Sequence, residues 1–354
     1  MKKKLMLAMS GGVDSSAALV LLKDEYDVIG GTMSLFSADE PCGKCSAKDV
    51  EDAKKVAERF GIPHHVIELK EQFRKHVTDN FVQTYLEGGT PNPCVQCNKY
   101  IKFGALLDEA VKLGCEYFAT GHYARVEYDK NSGRYLLKKA LVNGNVSPKD
   151  QSYVLYSLTQ EQLKHVVFPL GRMDKEQVRG IALEHGLVNA DKPDSQDICF
   201  VPDGDYAAFI DRYGASYEKG DFVDADGNVL GKHKGIIHYT IGQRKGLGLS
   251  FGKPMFVVAK NAADNTVTLG EQELLFTTGL IARDVNFIAI ESLTSPLHCT
   301  AKTRYTGAEI PCEITPMGDG RVRVVFSQPQ RAAAAGQSVV FYDGDIVVGG
   351  GIIE

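Results

Sequence analysis

The stretch Met6-Leu-Ala-Met-Ser-Gly-Gly-Val-Asp-Ser-Ser16 decides the fold, because an apolar strand runs directly into a glycine-hydroxyl turn and then a helix. Gly11 and Gly12 can adopt positive φ and let backbone amides approach an anion at the positive end of the helix. The serines of the stretch add hydroxyl donors, and Asp14 is placed to hold a magnesium ion or to cap the helix. The turn predicts a phosphate-binding loop, with an ordinary capped βα turn as the alternative.

The Ser10–Ser15 string resembles the PP-loop of the ATP pyrophosphatases, which split ATP between the α and β phosphates and transfer AMP to an oxygen. It is not a Walker loop, since the chain has no Gly-x-x-x-x-Gly-Lys-Ser/Thr and the turn carries no lysine to bridge the β and γ phosphates. Pyrophosphate is therefore the expected leaving group.

Composition excludes several classes of protein. A chain of 354 residues with 44% hydrophobic content is long enough for two or three domains with their own cores. Its apolar runs fall short of the roughly 20 residues that span a bilayer. The eight cysteines are clustered and follow no signal peptide, which predicts reduced thiols in the cytoplasm with catalytic or metal-binding roles. A net charge of −5 gives no global signature of nucleic-acid binding, so local basic groups would have to supply it.

The first half of the chain alternates strand and helix signals and predicts an α/β domain with a doubly wound parallel sheet. The expected strands are Leu5–Met9, Val28–Ser34, His65–Leu69 and Tyr117–Thr120, and the expected helices are 49–60 and Phe103–Leu113. Ligands of such sheets bind at the carboxyl ends of the strands, where the Ser10–Gly12 turn lies.

After Pro202 the pattern changes. One helix is expected over Asp205–Tyr213, and beyond it glycine-rich turns separate short β-branched runs such as Thr266–Leu269, Val322–Phe326 and Ser338–Tyr342. This spacing favours small β domains. We therefore predict a catalytic PP-loop domain over residues 1–204, a central β-rich domain over 205–274 and a C-terminal β-barrel over 275–354.

Two segments carry thiols that suit chemistry. Cys94 and Cys97 lie in a proline-stiffened loop just before a helix, where the helix end and Lys99 would favour the thiolate, so that a nucleophile or a metal ligand is expected. Cys199 follows Asp194 and Asp197, which would not lower its pKa. Local sequence alone therefore gives Cys199 no independent reactive role.

Six motifs in order along the whole chain are similar to those of the tRNA-specific 2-thiouridylase family, of the MnmA type. They are Ser-Gly-Gly-Val-Asp-Ser-Ser (10–16), Thr-Pro-Asn-Pro-x-x-x-Cys-Asn-Lys-x-Ile-Lys-Phe (90–103), Ala-Thr-Gly-His-Tyr-Ala-Arg (119–125), Lys-Asp-Gln-Ser-Tyr (149–153), Ser-Gln-Asp-Ile-Cys-Phe (195–200) and Tyr-Thr-Ile-Gly-Gln-Arg-Lys-Gly-Leu-Gly (239–248).

The resemblance implies an enzyme that uses ATP to replace O2 of the wobble uridine in certain tRNAs with sulfur. Adenylation would turn a poor leaving oxygen into AMP, a good leaving group. By position, Cys199 matches the cysteine that carries a persulfide, and Cys97 matches its partner. Cys97 would free the terminal sulfur and leave a Cys97–Cys199 disulfide for a reductant to open.

The resemblance also implies the binding residues. The nucleotide contacts would be Ala8, Met9, Ser10, Gly11, Gly12, Val13, Asp14, Ser15, Met33 and Gly121. The tRNA contacts would be Asn92, Pro93, Cys94, Lys149, Asp150, Gln151, Arg304, Tyr305 and Gln337, with Asn92–Cys94 at the target base. His122 is expected either to touch RNA or to be a hydrogen-bonded structural histidine.

One departure from the family leaves the sulfur chemistry open. Many members have aspartate, with a general acid or base role, where this chain has Cys94. Cys94, Cys97 and Cys199 together resemble sulfur-transferring relatives that hold a 4Fe-4S cluster through three cysteines. A zinc site on Cys42, Cys45, Cys94 and Cys97 is a further alternative.

Three classes of function therefore compete. The first is an ATP- and magnesium-dependent tRNA sulfurtransferase, supplied by a persulfide relay protein or by inorganic sulfide. The second is a PP-loop amide ligase, although no glutaminase segment accompanies the loop. The third is a nonenzymatic tRNA-binding iron-sulfur protein, which would leave the PP-loop unexplained.

Overall fold

The computed structural model describes residues 1–36, 47–190, 192 and 198–354. Within them the strands, in chain order, are β1 Lys4–Ala8, β2 Asp27–Ser34, β3 His64–Glu68, β4 Tyr117–Ala119, β5 Ala124–Asp129, β6 Arg134–Lys139, β7 Leu141–Val142, β8 Asn145–Val146, β9 Val166–Val167, β10 Gly220–Val223, β11 Val229–His233, β12 Phe256–Asn261, β13 Thr266–Gly270, β14 Phe276–Phe287, β15 Leu297–Lys302, β16 Ile310–Gly318, β17 Arg321–Arg331, β18 Ser338–Asp343 and β19 Ile346–Ile353.

The α-helices in the same residues are α1 Val13–Leu22, α2 Ala47–Arg59, α3 Lys70–Phe73, α4 Asp79–Leu86, α5 Pro93–Gln96, α6 Leu107–Lys112, α7 Gln160–His165, α8 Lys175–Glu184 and α9 Tyr206–Arg212. Arg74–Thr78 and Cys97–Leu106 are π-helices, and short 3₁₀ turns cover Ser152–Leu155, Ile236–His238 and Gln272–Leu275.

The first domain is built on a parallel sheet with strand order β3-β2-β1-β4-β9. Its central strand, β1, is apolar on both faces because helices cover both, and Leu5, Met6 and Leu7 are fully buried. The chain moves from β1 outward to β3 and then returns to the other side of β1 at β4. The predicted doubly wound sheet is confirmed, and its switch point lies between β1 and β4.

The helix at 49–60 is confirmed as α2, and Asp205–Tyr213 as α9, with the Asp205 carboxylate accepting from the Ala208 amide at 2.9 Å. The predicted start at Phe103 is wrong. Helical structure begins at Pro93 and passes through a ten-residue π-helix, Cys97–Leu106, before α6. The proline loop thus forms the first turn of a helix, since proline is compatible with the N1 position.

The second half of the chain is β-rich, as expected. β10 to β13 form a four-stranded sheet, and β14-β17-β16-β15-β18-β19 close into a barrel because β14 also pairs with β19. The divisions near residues 205 and 275 stay a prediction. The first domain and the barrel also share a sheet, because the β5–β6 hairpin extends the barrel sheet by pairing Lys138 with Ile346.

Buried polar contacts hold that hairpin on the barrel. The Lys139 ammonium, almost fully buried, donates to Glu309 and to the Gly344 carbonyl, both at 2.7 Å, and lies 4.4 Å from the centre of the Tyr342 ring. Arg125 pairs with Asp345. None of the described helices is both long and apolar enough to cross a membrane.

Candidate active site

The Met9–Gly12 loop joins β1 to α1 at the carboxyl edge of the sheet. Gly11 has φ +67°, and a Cβ there would lie 2.3 Å from the Asp49 carbonyl oxygen, so glycine is required for two independent reasons. The Ser10 amide donates to the Ser15 hydroxyl at 3.2 Å, and the Ser15 hydroxyl donates to the Gly12 carbonyl at 3.1 Å. The hydroxyl of Ser15 therefore also fixes the shape of the loop from within.

Asp14 does not cap α1. Gly12 occupies the cap position without a side-chain hydrogen bond, so that alternative is wrong. The Asp14 carboxylate instead accepts from the Tyr123 hydroxyl at 2.7 Å and pairs with the Lys175 ammonium at 2.8 Å. In this state the carboxylate is neutralised by a lysine, and a magnesium ion would have to displace that lysine.

The neighbouring strands bring further predicted nucleotide residues to the same edge. Gly121 follows β4, and a Cβ there would lie 3.0 Å from the Ser15 amide nitrogen, so the segment after β4 packs directly on the start of α1. Met33 lies near the end of β2, which pairs with β1. The predicted set from Ala8 to Ser15, with Met33 and Gly121, thus shares one edge at the switch point.

The thiol loop enters its helix through a side-chain cap. Asn92 accepts from the Val95 amide at 3.4 Å, and Pro93 occupies the first helical position, which places Cys94 in the first turn and Cys97 at the start of the π-helix. π-Helices are rare, and they are frequently found at functional sites.

The electrostatics of these thiols differ from expectation. Burial raises the pKa of Cys97 to about 12, although the Lys102 ammonium opposes the shift. The pKa of Cys94 is raised as well, first by desolvation of its sulfur and then by the Cys199 thiol, although the residue as a whole is exposed. The expected thiolate is therefore not favoured in this state. Lys102, not Lys99, is the cation that acts on both sulfurs, since the Lys99 ammonium lies 5.1 Å from the Tyr100 ring centre.

The fold brings together thiols that are about a hundred residues apart. Cys94 and Cys199 both act electrostatically on Cys97. No disulfide joins any of the described cysteines, and no group of three or more His, Cys, Asp or Glu among the described residues is arranged to hold a metal ion. Cys94, Cys97 and Cys199, the expected cluster ligands, are thus neighbours, but in this structure they are not arranged to hold a metal ion. Cys42 and Cys45 lie outside the described residues.

Two predicted RNA contacts, Arg304 and Tyr305, follow β15 of the barrel and are bonded to the protein. The Tyr305 hydroxyl donates to the Asp150 carbonyl at 3.0 Å, and the Tyr305 ring lies 6.1 Å from that of Tyr153. The Arg304 guanidinium donates to the Arg331 and Ala332 carbonyls at 2.8 and 3.1 Å.

Gln337 reaches the segment that precedes Asn92. Its side-chain amide donates to the carbonyls of Thr90 and Pro91, at 3.1 and 3.0 Å. Residues that are 247 and 246 positions apart in sequence therefore meet beside the loop that carries Asn92, Pro93 and Cys94.

The expected RNA contacts Asp150 and Gln151 are half-buried and bonded to the protein, whereas Lys149 is exposed and is bonded through its backbone amide. The Asp150 carboxylate accepts from the Ala140 amide at 2.9 Å and from the Ser152 hydroxyl at 2.8 Å. The Gln151 side chain accepts from the Tyr123 amide at 3.0 Å, and the Lys149 amide donates to the Ser147 hydroxyl.

His122 is 8% exposed, its Nδ1 is 2.7 Å from the Thr120 hydroxyl, and burial lowers its pKa well below the ordinary value. This placement favours the structural role for His122.

Comparison with known proteins decides the family. The chain is 54% identical over 360 residues to the tRNA-specific 2-thiouridylase MnmA of Clostridioides difficile (strain 630), covering 100% of this chain and 99% of that protein. It is 53% identical over 361 residues to the protein of that name from Acetivibrio thermocellus, with the same coverage. The chain belongs to the tRNA-specific 2-thiouridylase family.

Three family models match consecutive parts of this 2-thiouridylase family member. They are described as a tRNA methyl transferase HUP domain (residues 3–203), a tRNA methyl transferase PRC-barrel domain (207–271) and an aminomethyltransferase beta-barrel domain (277–353). Those descriptions speak of methyl transfer, whereas the relatives that match over the whole length are named for thiolation.

Among solved structures, the U34-tRNA thiolase NcsA from Methanococcus maripaludis with its 4Fe-4S cluster is 17% identical, with a TM-score of 0.35, covering 60% of this chain and 66% of that one. A likeness that weak says nothing about a cluster in this 2-thiouridylase.

Two residues that the motifs did not single out brace the nucleotide loop of this 2-thiouridylase. The Asn189 amide and the Lys192 ammonium both donate to the Gly11 carbonyl at 3.1 Å, and Lys192 also pairs with Asp49 and Asp52 at 2.6 and 3.0 Å. Neither has a local sequence signal, because both act on a loop nearly 180 residues earlier in the chain.

Proposed function

We propose that the chain is an ATP-dependent tRNA sulfurtransferase that replaces O2 of the wobble uridine with sulfur, giving 2-thiouridine, AMP and pyrophosphate. One observation carries the proposal beyond the family. The Phe103 ring, in the π-helix that begins at Cys97, lies 5.9 Å from the His122 ring, and His122 directly follows Gly121, which packs on the nucleotide loop. This packing supports a single site that contains both the thiols and the nucleotide loop.

The first chemical step belongs to the nucleotide loop. The amides around Gly11 and Gly12, at the N-terminus of α1, suit the phosphates of ATP, and the loop brings no cation of its own. Attack of the uridine O2 on the α phosphate forms an O–P bond and expels pyrophosphate. Magnesium would arrive on the phosphates. Asp14 is the carboxylate of the loop that would hold the ion, in exchange for the Lys175 ammonium.

The second step belongs to the thiols. We propose that Cys199 carries a persulfide, whose inner sulfur is attacked by Cys97. The Cys199 S–S bond breaks, a Cys97–Cys199 disulfide forms, and the terminal sulfur leaves as hydrosulfide. Hydrosulfide then adds to C2 of the adenylated uridine and AMP departs. A dithiol reductant returns both cysteines to thiols with two electrons.

Activation of Cys97 requires loss of a proton, because its pKa of about 12 keeps it a thiol at neutral pH. Lys102 is the described cation that would favour the thiolate once substrate binding changes the surroundings of the sulfur. Asn92 to Cys94 would meet the target base, and Arg304, Tyr305 and Lys149 would meet other parts of the tRNA.

The persulfide route is favoured over the cluster route by the arrangement of the thiols. Cys94, Cys97 and Cys199 do not form a metal-holding group within the described residues, so they do not fit a cluster as they stand. The cluster remains the second candidate because Cys94 replaces the aspartate of many relatives. A cytoplasmic location would keep the thiols reduced between turnovers.

Nucleoside mass spectrometry tests both routes. Unmodified tRNA is incubated with anaerobically purified protein, magnesium-ATP and inorganic sulfide, and a parallel reaction contains a cysteine desulfurase and relay proteins instead. The persulfide route predicts 2-thiouridine only with the relay. Product with sulfide alone would favour the cluster, and no product in either reaction would refute the sulfurtransferase.

Cys94→Asp separates the two routes in the same assay. A persulfide enzyme should tolerate aspartate at this position, since many relatives have it. A cluster enzyme should lose iron and activity together. Pyrophosphate release that depends on tRNA would, in addition, exclude a protein that only binds tRNA.

A further inference from the structure

The segment Gly88–Pro91, which leads into the thiol loop, is bonded to the C-terminal barrel through its backbone. The Thr90 amide donates to the Ala335 carbonyl at 2.8 Å, and the Gln337 side-chain amide donates to the carbonyls of Thr90 and Pro91. Both donor hydrogens of that amide group have an acceptor on the segment. Gln337 therefore holds the protein backbone itself, at Thr90 and Pro91, just before Cys94.

The central domain holds the same segment through Lys260 on β12. The Lys260 ammonium donates to the Gly89 carbonyl at 3.2 Å and to the Tyr239 carbonyl at 2.9 Å, and it lies 5.9 Å from the centre of the Tyr85 ring. A side chain of the central domain thus joins the segment to the motif that begins at Tyr239.

Close backbone packing makes this junction stiff. A Cβ on Gly89 would lie 2.8 Å from the Thr84 methyl group and 3.2 Å from the Ala335 carbonyl oxygen. A Cβ on Gly336 would lie 3.0 Å from the Thr90 carbonyl oxygen. Both glycines let the segment and the barrel loop approach to van der Waals contact, so a shift of one moves the other.

We propose that Gln337 and Lys260 are positioning residues for the thiol loop, through which the two β domains fix the place of Cys94 and Cys97 relative to a bound tRNA. The inference rests on the proposed function for its consequence, but the mechanical link can be tested without sulfur transfer. A tRNA held by the barrel and the thiol that acts on its uridine are thereby kept at a fixed separation.

Hydrogen exchange tests the link directly. Gln337→Met and Lys260→Met keep an unbranched side chain of similar length and remove the N–H groups that donate to the segment. The controls are Gln330→Met and Lys253→Met. In the wild type the Gln330 side-chain amide donates to the Gln328 carbonyl on its own barrel strand, and Lys253 pairs with Glu271 at the surface. We expect exchange of the amides from Thr90 to Gln96 to rise at least about fivefold in both tether variants and to stay unchanged in the controls. Unchanged exchange in the tether variants would overturn the proposal.

Kinetics then separates positioning from RNA binding. In single-turnover reactions with persulfidated protein, both tether variants should thiolate about 10 to 100 times more slowly, because a displacement near 1 Å can cost that much. The Kd for tRNA should stay within about twofold of the wild-type value. A Kd that rises in parallel with the loss of rate would make these residues RNA contacts and refute the positioning role. If the wild-type protein forms no 2-thiouridine, the proposed function fails, while the exchange data still decide the link.

Discussion

At the scale of single residues, Gly11 offers a sharp test of the nucleotide loop. Gly11→Ala combines a positive φ with a contact of 2.3 Å to the Asp49 carbonyl oxygen, so the loop has to move. Gly114 has φ +79° and no atom within 4 Å of a Cβ, so Gly114→Ala adds only backbone strain, of about 1–2 kcal/mol. We expect ATP affinity, measured by titration calorimetry, to fall at least tenfold in Gly11→Ala. Equal affinities in the two variants would contradict the assigned loop.

The thiol assignments have a matched control within the chain. Cys97→Ala and Cys199→Ala should each abolish 2-thiouridine formation and leave tRNA affinity largely intact, since each removes one sulfur of the transfer. Cys115→Ala removes a buried thiol that follows α6, and thiolation should persist. The readouts are nucleoside mass spectrometry and filter binding. Thiolation by either active-site variant would remove that cysteine from the mechanism.

The order of the elements explains what the sequence could predict. The Ser10–Gly12 loop directly follows its strand in the sequence, so the local sequence pattern was enough to predict both. Lys102 was not separable from Lys99 by pattern, because an α-helix places residues three and four apart on one face. The π-helix bonds residues five apart, which brings Lys102 to the side of Cys97. A change of helix type is a tertiary effect that local propensity does not encode.

The β5–β6 hairpin shows again that local sequence cannot predict a contact, here between residues much farther apart in the chain. Its residues follow β4 in sequence and read as part of the first domain. Their partner strand, β19, lies more than 200 residues later, and the contact depends on Lys139 and Arg125 finding acceptors on the barrel. The acceptors that these two charges need lie on the barrel, and no local window of the sequence contains them.

The hairpin contact gives a stability prediction. Lys139→Met leaves the Glu309 carboxylate, partly shielded from water, without its ammonium, and we expect unfolding to become easier by about 2–3 kcal/mol. Lys112→Met breaks a pair of the same 2.7 Å length that is largely exposed, and should cost much less, because water and salt screen an exposed pair. Urea unfolding followed by tyrosine fluorescence measures both. Equal costs would show that burial does not strengthen the Lys139 pair.

At the scale of the whole molecule, Lys260 connects the three parts of the chain and carries an unusual charge. Burial lowers its pKa to about 8, from an ordinary value of 10.5. Its neutral amine still has two N–H groups for the Gly89 and Tyr239 carbonyls. When Lys260 loses its proton, both hydrogen bonds can therefore remain, and the free-energy penalty of burying its charge disappears.

The sign of the resulting pH dependence follows from linkage. Between about pH 8 and 10.5 the unfolded chain holds a proton on Lys260 that the folded chain has lost, so the contribution of this group to stability rises with pH across that window. In Lys260→Met the contribution is absent. The difference in unfolding free energy between wild type and Lys260→Met should therefore shift in favour of the wild type from pH 7.5 to pH 10. A flat difference for Lys260→Met would mean that the ammonium is not desolvated at the junction.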